Sequence, residues 1–329
     1  MIGINSARNA ASAALIAAMS LFSPGAGAQY PEKPVRMVVG FAPGGPSDIV
    51  ARIIAPAMSR QLGQQIIIDN KPGASGTIAT EAVVKAPADG YTLLLGSESD
   101  FAVAPVLFRK LTYDPVKDLS PVAAVASFFN VLVVNPSAGF RNLQDFIDRA
   151  KAAPGKVVYA SGGSGTPSHL FGALFGLAAG VDLLHISYKG AGPALTDLIG
   201  GHVQAMFLGG PAAVSQVKSG KLKALAVTGS SRASQLPDVP TFGEGGTKSP
   251  ELEQSFWWVL AGPAGLDPQV VGRLAAALGT ALRQSDTQAQ FANQGLSPRF
   301  DDAQTARGMI EKDRRKWARV IKAAGITLE

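Results

Sequence analysis

The chain has 329 residues, of which 47% are hydrophobic and 16% are charged, and it contains no cysteine. This length suffices for a substantial core and most simply for two domains. The absence of cysteine excludes a disulfide framework, a thiol nucleophile and a lipid-anchor thiol. The formal net charge of +6 is scattered along the chain, which predicts a mild attraction for anions and argues against nucleic-acid binding.

Residues 1–28 have the pattern of a secretory signal peptide. A short basic segment with Arg8 precedes the apolar stretch AASAALIAAMSLF, which is too short to span a bilayer permanently. Ala26, Gly27 and Ala28 form a small-residue cleavage pattern. We interpret this as cleavage after Ala28 and export to the periplasm; the alternative is a buried N-terminal helix.

Downstream of the signal sequence, short apolar runs alternate with helical patterns. VRMVVGF is predicted to be a buried strand, PGGPS a turn, and DIVARIIAPAMSRQLG a helix that Pro56 should kink or interrupt unless packing compensates. QIIIDN and YTLLLGS are predicted strands, with GTIATEAVVKA as a short helix between them. This rhythm predicts an α/β fold with a mainly parallel sheet.

The second half of the chain repeats the first unit's design. KVVYAS is a predicted strand, GGSGTP a loop and SHLFGALFGLAAG a helix. Further strands are predicted at LLHISYKG, HVQAMFLGG, LKALAVTGS and SFWWVLAGPAG, and the last helix has an apolar stripe formed by Ile310, Trp317, Val320 and Ile321. The chain therefore makes strand, glycine-containing loop and helix once in each half.

Two segments are interpreted as crossings between domains. PVAAVASFFNVLVVNPS, residues 121–137, is too long for one ordinary strand, and SFWWVLAG comes late enough to carry the chain back. The sequence thus predicts a discontinuous first domain, residues 29–127 plus 254–329. An inserted second domain would comprise residues 128–253.

Neither glycine-containing loop carries a complete catalytic or cofactor motif. No Lys follows the last Gly, Ser168 stands where a dinucleotide fingerprint needs Gly, and Ser164 lacks the second Gly of a hydrolase elbow. His169, His185 and His202 show no metal-ligand spacing. We therefore predict no catalytic residue, no metal and no cofactor.

Two loops of small residues that each open a helix would instead present backbone N–H groups and hydroxyls to an anion. Gly44 and Gly45 allow close approach, and Ser47 is predicted to cap its helix or to donate to a ligand. The alternative is that both loops are merely tight turns. His169 either contacts the ligand or packs locally, and His185 is interpreted as structural.

At these residues the sequence resembles the substrate-binding proteins of tripartite tricarboxylate transporters, also called Bug-type receptors. Matching stretches include YPEKPVRMVVGFAPGGPSDIVAR, LGQQIIIDNKPGASGTIATEAVVKAPADGYTLLLG, SHLFGALF, YKGAGPALTDLIGGHVQAMF and LPDVPTFGE. The resemblance runs from Gln29 to the C-terminus. It implies a two-domain receptor of the type II periplasmic binding-protein kind, which captures a small carboxylate in the interdomain cleft and delivers it to an inner-membrane permease. We expect a monomer.

Carried onto this chain, the family's contact loops match residues 41–48 and 161–168, with His169 following. Asp48 is expected to satisfy backbone donors rather than to bind an anion, and Lys189 is equally well a salt-bridge residue. The predicted ligand-binding residues are Phe41, Ala42, Pro43, Gly44, Gly45, Ser47, Ser97, Glu98, Ser161, Ser164, Gly165, Thr166, Ser168, His169, Tyr188, Lys189 and Leu208.

Two departures from the family's pattern bear on the ligand. Glu98 begins a stretch where many relatives have neutral polar residues, and Leu208 stands where many have an acidic residue. If Glu98 faces the cleft, it would repel a second carboxylate and favour a donor or cationic group on an aromatic or amphipathic acid. Otherwise Glu98 points to water and the aromatic residues near the hinge are core. Those aromatic residues are Phe128, Phe129, Trp257 and Trp258.

Two other functions stay open at this point. In a secreted hydrolase, Ser161, Ser164 or Ser168 would be the nucleophile and His169 the base, although an ordered acid–base partner is missing. A ligand sensor would bind the same acids without transport.

Overall fold

The structure is a computed structural model that describes residues 30–108 and 110–326; the predicted signal peptide lies outside the described residues. The strands are β1 Val35–Val39, β2 Ile66–Asn70, β3 Thr92–Ser97, β4 Leu119–Phe128, β5 Asn130–Val134, β6 Val158–Ser161, β7 Leu184–Ser187, β8 Ala205–Gly209, β9 Lys223–Val227, β10 Phe256–Pro263 and β11 Ser297–Pro298. The helices are α1 Pro46–Leu62, α2 Thr77–Val84, α3 Ala104–Leu107, α4 Leu143–Ala152, α5 Pro167–Ala179, α6 Ala191–Ile199, α7 Gly210–Lys218, α8 Pro268–Arg283, α9 Ser285–Asn293 and α10 Ala303–Ala323. Within the described ranges, no helix is both long enough and apolar enough to cross a membrane.

The strands form two sheets, and each sheet is the centre of one α/β domain. The first sheet has six strands in the order β11-β4-β10-β3-β1-β2, and the second has five in the order β7-β6-β8-β5-β9. The chain leaves the first sheet after Phe128 and enters the second at Asn130, and it rejoins the first sheet at Phe256. The residue boundaries predicted for the two domains stay predictions.

Both sheets are mixed, so the prediction of a mainly parallel sheet is wrong. β1 is parallel to β2 and β3, and β6 is parallel to β7 and β8. β10 is antiparallel to β3 and β4, and β5 is antiparallel to β8 and β9. The reason is topological: β5 and β10 follow a crossing between the sheets and run away from it, whereas the strands of the βαβ units run toward it.

Alternate residues of the central strands pack on opposite faces of the first sheet, as expected for strands covered by helices on both sides. Met37 of β1 packs in the cluster with α1 and α8, whereas Val38 belongs to the cluster that includes Trp257. This second cluster continues into the second domain, where Phe171 of α5 meets Trp317 of α10 with ring centroids 5.6 Å apart. The C-terminal helix therefore packs on both domains.

Two helix predictions had different outcomes. The amphipathic C-terminal helix is confirmed as α10, and its predicted apolar stripe is buried. The helix is not interrupted at Pro56, since α1 continues through that residue to Leu62. Burial of the flanking apolar positions Ile54 and Met58 compensates for the hydrogen bond that Pro removes.

Candidate ligand-binding cleft

The first loop, residues 41–48, and the second loop, residues 161–169, follow strands that run toward the crossing between the sheets. β1 ends at Val39, one residue short of the first loop, and β6 ends at the first residue of the second loop. In open α/β sheets, ligands bind at the carboxyl ends of such strands.

The strand pairing brings these two carboxyl edges to the hinge, the segment formed by residues 128–130. β3 ends at Ser97, which pairs with Trp258 close to the start of β10, and Phe256 at that start pairs with Phe128. Across the hinge, Asn130 pairs with Gly209, the last residue of β8. Because β8 is parallel to β6, the second loop lies at the edge of the second sheet that adjoins the hinge.

Glycines in β8 and α7 allow the hinge to pack tightly. A Cβ on Gly209 would approach the ring of Phe128 to 2.9 Å, and a Cβ on Gly210 would approach the ring of Phe129 to 2.8 Å. Gly210 N–H donates to the Phe129 carbonyl at 2.7 Å. The Gly–Gly pair after Leu208 was a visible sequence signal for this close approach.

Asp48 closes the first loop. Its Oδ2 accepts the N–H of Gly44 at 2.9 Å and the Nε–H of Arg52 at 2.7 Å. Burial alone would raise the pKa of Asp48, but the hydrogen bonds from Arg52 and Gly44 outweigh it and hold the pKa below its ordinary value. The expectation that Asp48 satisfies backbone donors is confirmed.

Ser47 is held by the aromatic core instead of capping its helix. The N-cap of α1 is Gly45, which has no side-chain cap, so the predicted capping role of Ser47 is wrong. Its Oγ accepts the indole N–H of Trp258 at 2.8 Å. Among the described residues no acceptor is found for the hydroxyl proton, and a contact between Ser47 and a ligand stays a prediction.

His169 closes the second loop in the same manner. Gly165 N–H donates to His169 Nδ1 at 3.0 Å. Thr166 Oγ1 donates to the Gly163 carbonyl at 2.6 Å, and Gly162 N–H donates to Ser168 Oγ at 3.1 Å. The loop is therefore shaped largely by its own hydrogen bonds.

The two loops match position by position. Each has a glycine with positive φ, an extended residue without a side-chain cap, Pro at the first helical position, Ser, and then a side chain that accepts the N–H of that glycine. These series are Gly44, Gly45, Pro46, Ser47 and Asp48 in the first loop, and Gly165, Thr166, Pro167, Ser168 and His169 in the second.

The internal bonds determine which donors a ligand meets. Gly44, Gly45, Gly165 and Thr166 already have acceptors for their N–H groups inside the loops. The first turns of α1 and α5 lack intrahelical acceptors. Among the described residues, no acceptor is found for the N–H groups of Ala42, Ser47, Asp48, Ser164, Ser168 and His169. Both loops thus present unbonded donors at a helix N-terminus.

A second imidazole lies against His169. The rings of His169 and His185 stack with centroids 3.8 Å apart and planes 4° apart. His185 Nε2 lies 2.6 Å from Ser161 Oγ. Burial, followed by repulsion from His185, lowers the pKa of His169 to about 4, and burial also lowers the pKa of His185.

This arrangement differs from the one that the hydrolase alternative requires. The histidine beside Ser161 is His185, and His169 Nδ1 is already engaged by Gly165. The assignment of His169 as the base for Ser161 is therefore wrong. A signal for the contact between Ser161 and His185 was present, because β6 and β7 are consecutive strands of one βαβ unit and such strands are usually neighbours.

Residues 188–190 join the second loop through the backbone. Tyr188 N–H donates to the Ser161 carbonyl, and Gly190 N–H donates to the Gly162 carbonyl, both at 3.0 Å. The Tyr188 hydroxyl donates to Asp197 Oδ2 at 2.7 Å. Lys189 is exposed and makes no salt bridge to any described residue, so its role at the cleft stays a prediction.

At the end of β3, Ser97 and Glu98 are both buried. Asp100 Oδ2 accepts the N–H and the hydroxyl of Ser97 at 2.7 and 2.6 Å. Glu98 Oε1 accepts from Lys316 Nζ at 2.8 Å and from Trp317 Nε1 at 2.6 Å. The alternative that Glu98 points to water is wrong, since the residue is 0% exposed. Lys316 lies on the amphipathic C-terminal helix, and only the fold brings it to Glu98.

The remaining apolar candidates are core residues. Leu208 packs among the buried residues of the second domain, such as Val131 and Met206. Phe128, Phe129, Trp257 and Trp258 are all at most 8% exposed, which confirms that the aromatic residues near the hinge are core. A contact between Leu208 and a ligand stays a prediction.

Comparison with known proteins agrees with this geometry. Residues 50–326 match the model of the tripartite tricarboxylate transporter family receptor. Protein BugT of Bordetella pertussis is 38% identical over 315 residues, which cover 95% of this chain and 96% of that protein.

Solved structures with the same fold carry carboxylates. R. palustris Rpa4515 with adipate has a TM-score of 0.79 and 32% identity, and the match covers 91% of this chain and 99% of that one. MatC from Rhodopseudomonas palustris with bound malate has a TM-score of 0.75 and 32% identity, covering 89% of this chain and 100% of that one. This chain therefore belongs to the receptor family of tripartite tricarboxylate transporters, the periplasmic Bug-type binding proteins.

Proposed function

We propose that this protein captures a small carboxylate between its first and second loops and delivers it to the inner-membrane permease of a tripartite tricarboxylate transporter. The observation that carries the proposal is the matched pair of loops, each with unbonded N–H groups at a helix N-terminus and each at the edge of its sheet that adjoins the hinge. A carboxylate accepts several hydrogen bonds at once, so donors from both domains fit one ligand group.

The energies are adequate without a cationic side chain. A helix N-terminus contributes about 0.3–1 kcal/mol, and up to ~2 kcal/mol where it is partly buried. Each hydrogen bond to a charged group adds about 1.5–3 kcal/mol. After the cost of ordering ligand and loops, micromolar affinity, near −8 kcal/mol, is a reasonable expectation.

Aliphatic di- and tricarboxylates are our first choice of ligand class. Glu98 is fully buried and bonded to Lys316 and Trp317, which removes the argument that it faces the cleft and repels a second carboxylate. The hinge aromatics are core, which removes the argument for an aromatic acid. The adipate and malate held by similar receptors support the same choice.

Capture is proposed to involve closure of the domains about the hinge. The chain crosses there through the single residue between β4 and β5. In this mechanism the protein performs no covalent chemistry, and its mature form is a periplasmic monomer cleaved after Ala28. Delivery requires that the permease distinguish the ligand-bound form from the empty one.

A thermal-shift screen of di-, tri- and aromatic carboxylates tests the proposal. We expect at least one acid to raise the melting temperature, with the increase growing with the logarithm of concentration once the site is saturated. Calorimetry then gives its affinity, and uptake of that acid by a deletion strain separates transport from sensing. A screen without any shift would refute the receptor function.

A further inference from the structure

The stacked imidazoles of His169 and His185 are hydrogen-bonded to the second loop. His169 is 8% exposed, and its ring lies 3.8 Å from that of His185. His169 Nδ1 contacts the turn before α5 through Gly165, and His185 contacts the first residue of the loop, Ser161. The pair therefore touches both ends of the turn.

We propose that His169 is a positioning residue for carboxylate capture. In its neutral form, stacked on His185, it holds the second loop in the geometry that leaves the first-turn N–H groups of α5 available to a ligand. This inference rests on the proposed function, because it identifies the residue that shapes that same site.

The contact with Gly165 requires the neutral imidazole. Nδ1 accepts an N–H only when it carries no proton, so neutral His169 carries its proton on Nε2. Protonation of Nδ1 would replace an accepted hydrogen bond by two opposed donors. A second charge on His185 would add repulsion across the stack. Acidification therefore breaks the hydrogen bond between Gly165 and His169 that keeps the second loop closed.

The surroundings of the stack disfavour its charged form. The titratable groups that face it are Tyr159 of β6, whose hydroxyl donates to the His169 carbonyl at 3.3 Å, and Asp182 before β7. Asp182 lines the same cavity, of about 560 Å³, but makes no hydrogen bond to either imidazole. The end of α10 contributes only alanines to this cavity. Burial and the neighbouring imidazole together lower the pKa of His169 to about 4.

The first loop provides an internal comparison. Asp48 accepts the N–H of Gly44 just as His169 accepts that of Gly165. An acceptor at the third helical position is thus the feature that both loops share. The two acceptors differ in charge and in the pH range over which protonation prevents them from accepting the glycine N–H.

The test uses three variants of the full receptor. His169→Asn places Oδ1 where Nδ1 stood and does not titrate, His169→Ala removes the acceptor, and His202→Asn controls for an exposed histidine elsewhere in the second domain. Calorimetry with adipate, malate and benzoate as probes covers the range from about pH 8 to about pH 4. Each variant is compared with wild type at the same pH, so that protonation of the probe cancels.

Near neutral pH, we expect His169→Ala to weaken binding about tenfold and His169→Asn to restore it to within about threefold. His202→Asn should bind like wild type. Relative to His169→Asn, the wild-type Kd should double near the pKa of His169, about 4, because half of the molecules are then binding-competent.

Other results would overturn the inference. The inference is contradicted if the ratio of the wild-type Kd to the His169→Asn Kd stays constant with pH or falls in acid. Either result would leave the proposed function intact. An Nδ1–H tautomer of His169 in the nitrogen NMR spectrum contradicts it even if His169→Ala does not fold. If no probe binds wild type at any pH, the proposed function fails and this inference fails with it.

Discussion

The first and second loops share a backbone design but are closed by different chemistry. In both, a side chain in the first turn accepts the N–H of a glycine with positive φ. In the first loop that side chain is the carboxylate of Asp48, whose charge is offset by Arg52. In the second it is the imidazole of His169, which burial keeps neutral. The repeated feature is therefore the position of an acceptor and not the type of residue.

This difference matters for an anionic ligand. A carboxylate near a helix N-terminus reduces the positive potential there unless a cation balances it. The first loop meets this requirement with an ion pair at its rim, whereas the second avoids it by using a neutral acceptor. Both solutions leave the unbonded N–H groups as the dominant partners of a ligand.

The largest expected loss of affinity comes from giving the second loop the same acceptor as the first, a carboxylate. His169→Asp keeps an acceptor near Gly165 but adds a charge without a matching cation. At an effective dielectric constant of about 20, two charges ~5 Å apart repel by about 3 kcal/mol, so affinity for a carboxylate should fall about hundredfold. Calorimetry measures this loss, with neutral His169→Asn as the matched control. Equal affinity of the two variants would show that the second loop does not approach the carboxylate.

A smaller loss of affinity is expected from removing the cation that balances Asp48 in the first loop. Arg52→Gln leaves Asp48 in place without its cation, and affinity should fall about tenfold at low salt and less at high salt. The melting temperature should fall as well, because Asp48 is buried and would lose the hydrogen bond from its cation. Lys85→Gln, which breaks a pair of the same spacing whose carboxylate is 36% exposed, is the control for loss of a surface charge. A loss of affinity that does not depend on salt would contradict the electrostatic role of Arg52.

The shared part of the two loops was predictable from sequence, and the different part was not. Strand, glycine, proline and helix recur locally, so periodicity and turn chemistry located both loops and most strands. Partners that fix the loops can be distant in sequence: Trp258 lies 211 positions from Ser47. No local pattern encodes such contacts, because they arise only when strands become neighbours in a sheet.

The same reason explains the errors at Glu98 and in the strand directions. Lys316 is one of several basic residues on an amphipathic helix, and its 218-residue separation from Glu98 left no signal in a single sequence. Two of the antiparallel strands, β5 and β10, each follow a crossing between the sheets. The direction of these strands depends on where the chain passes from one domain to the other. Residue patterns locate those crossings only approximately.

A further test concerns the hydrogen bond that ties the first loop to the core. Trp258→Phe keeps the ring but removes the donor to Ser47 Oγ, and we expect a loss of about 1 kcal/mol in stability with about a threefold weaker affinity. Trp257→Phe is the matched control, because it removes the donor to buried Asp313 and should destabilise more, by about 1.5–3 kcal/mol, without weakening binding. Thermal unfolding and calorimetry separate these outcomes. An equal effect of both variants on affinity would argue against a specific role for the bond to Ser47.

The smallest expected effect is a difference between the two loops in how their stability depends on pH in the ligand-free protein. The pKa of His169 is lowered from 6.5 to about 4, so the unfolded chain binds more protons than the folded one within that window. Stability contributed by the closed second loop should therefore decline as the pH falls from about 6.5 toward about 4. The pKa of Asp48 is lowered from 3.8, so its contribution is present above 3.8 and is lost only as the pH falls below it.

On acidification, the second loop should consequently open before the first. Amide hydrogen exchange resolves this, because Gly165 N–H is protected by His169 and Gly44 N–H by Asp48. After correction for the intrinsic pH dependence of exchange, protection of Gly165 should fall between about pH 6 and pH 4 while that of Gly44 stays constant. In His169→Asn the decline at Gly165 should disappear, since the amide acceptor does not titrate. Parallel loss of protection at both glycines in wild type would mean that the loops respond as one unit, and the chemical difference between their closing residues would then have no consequence for opening.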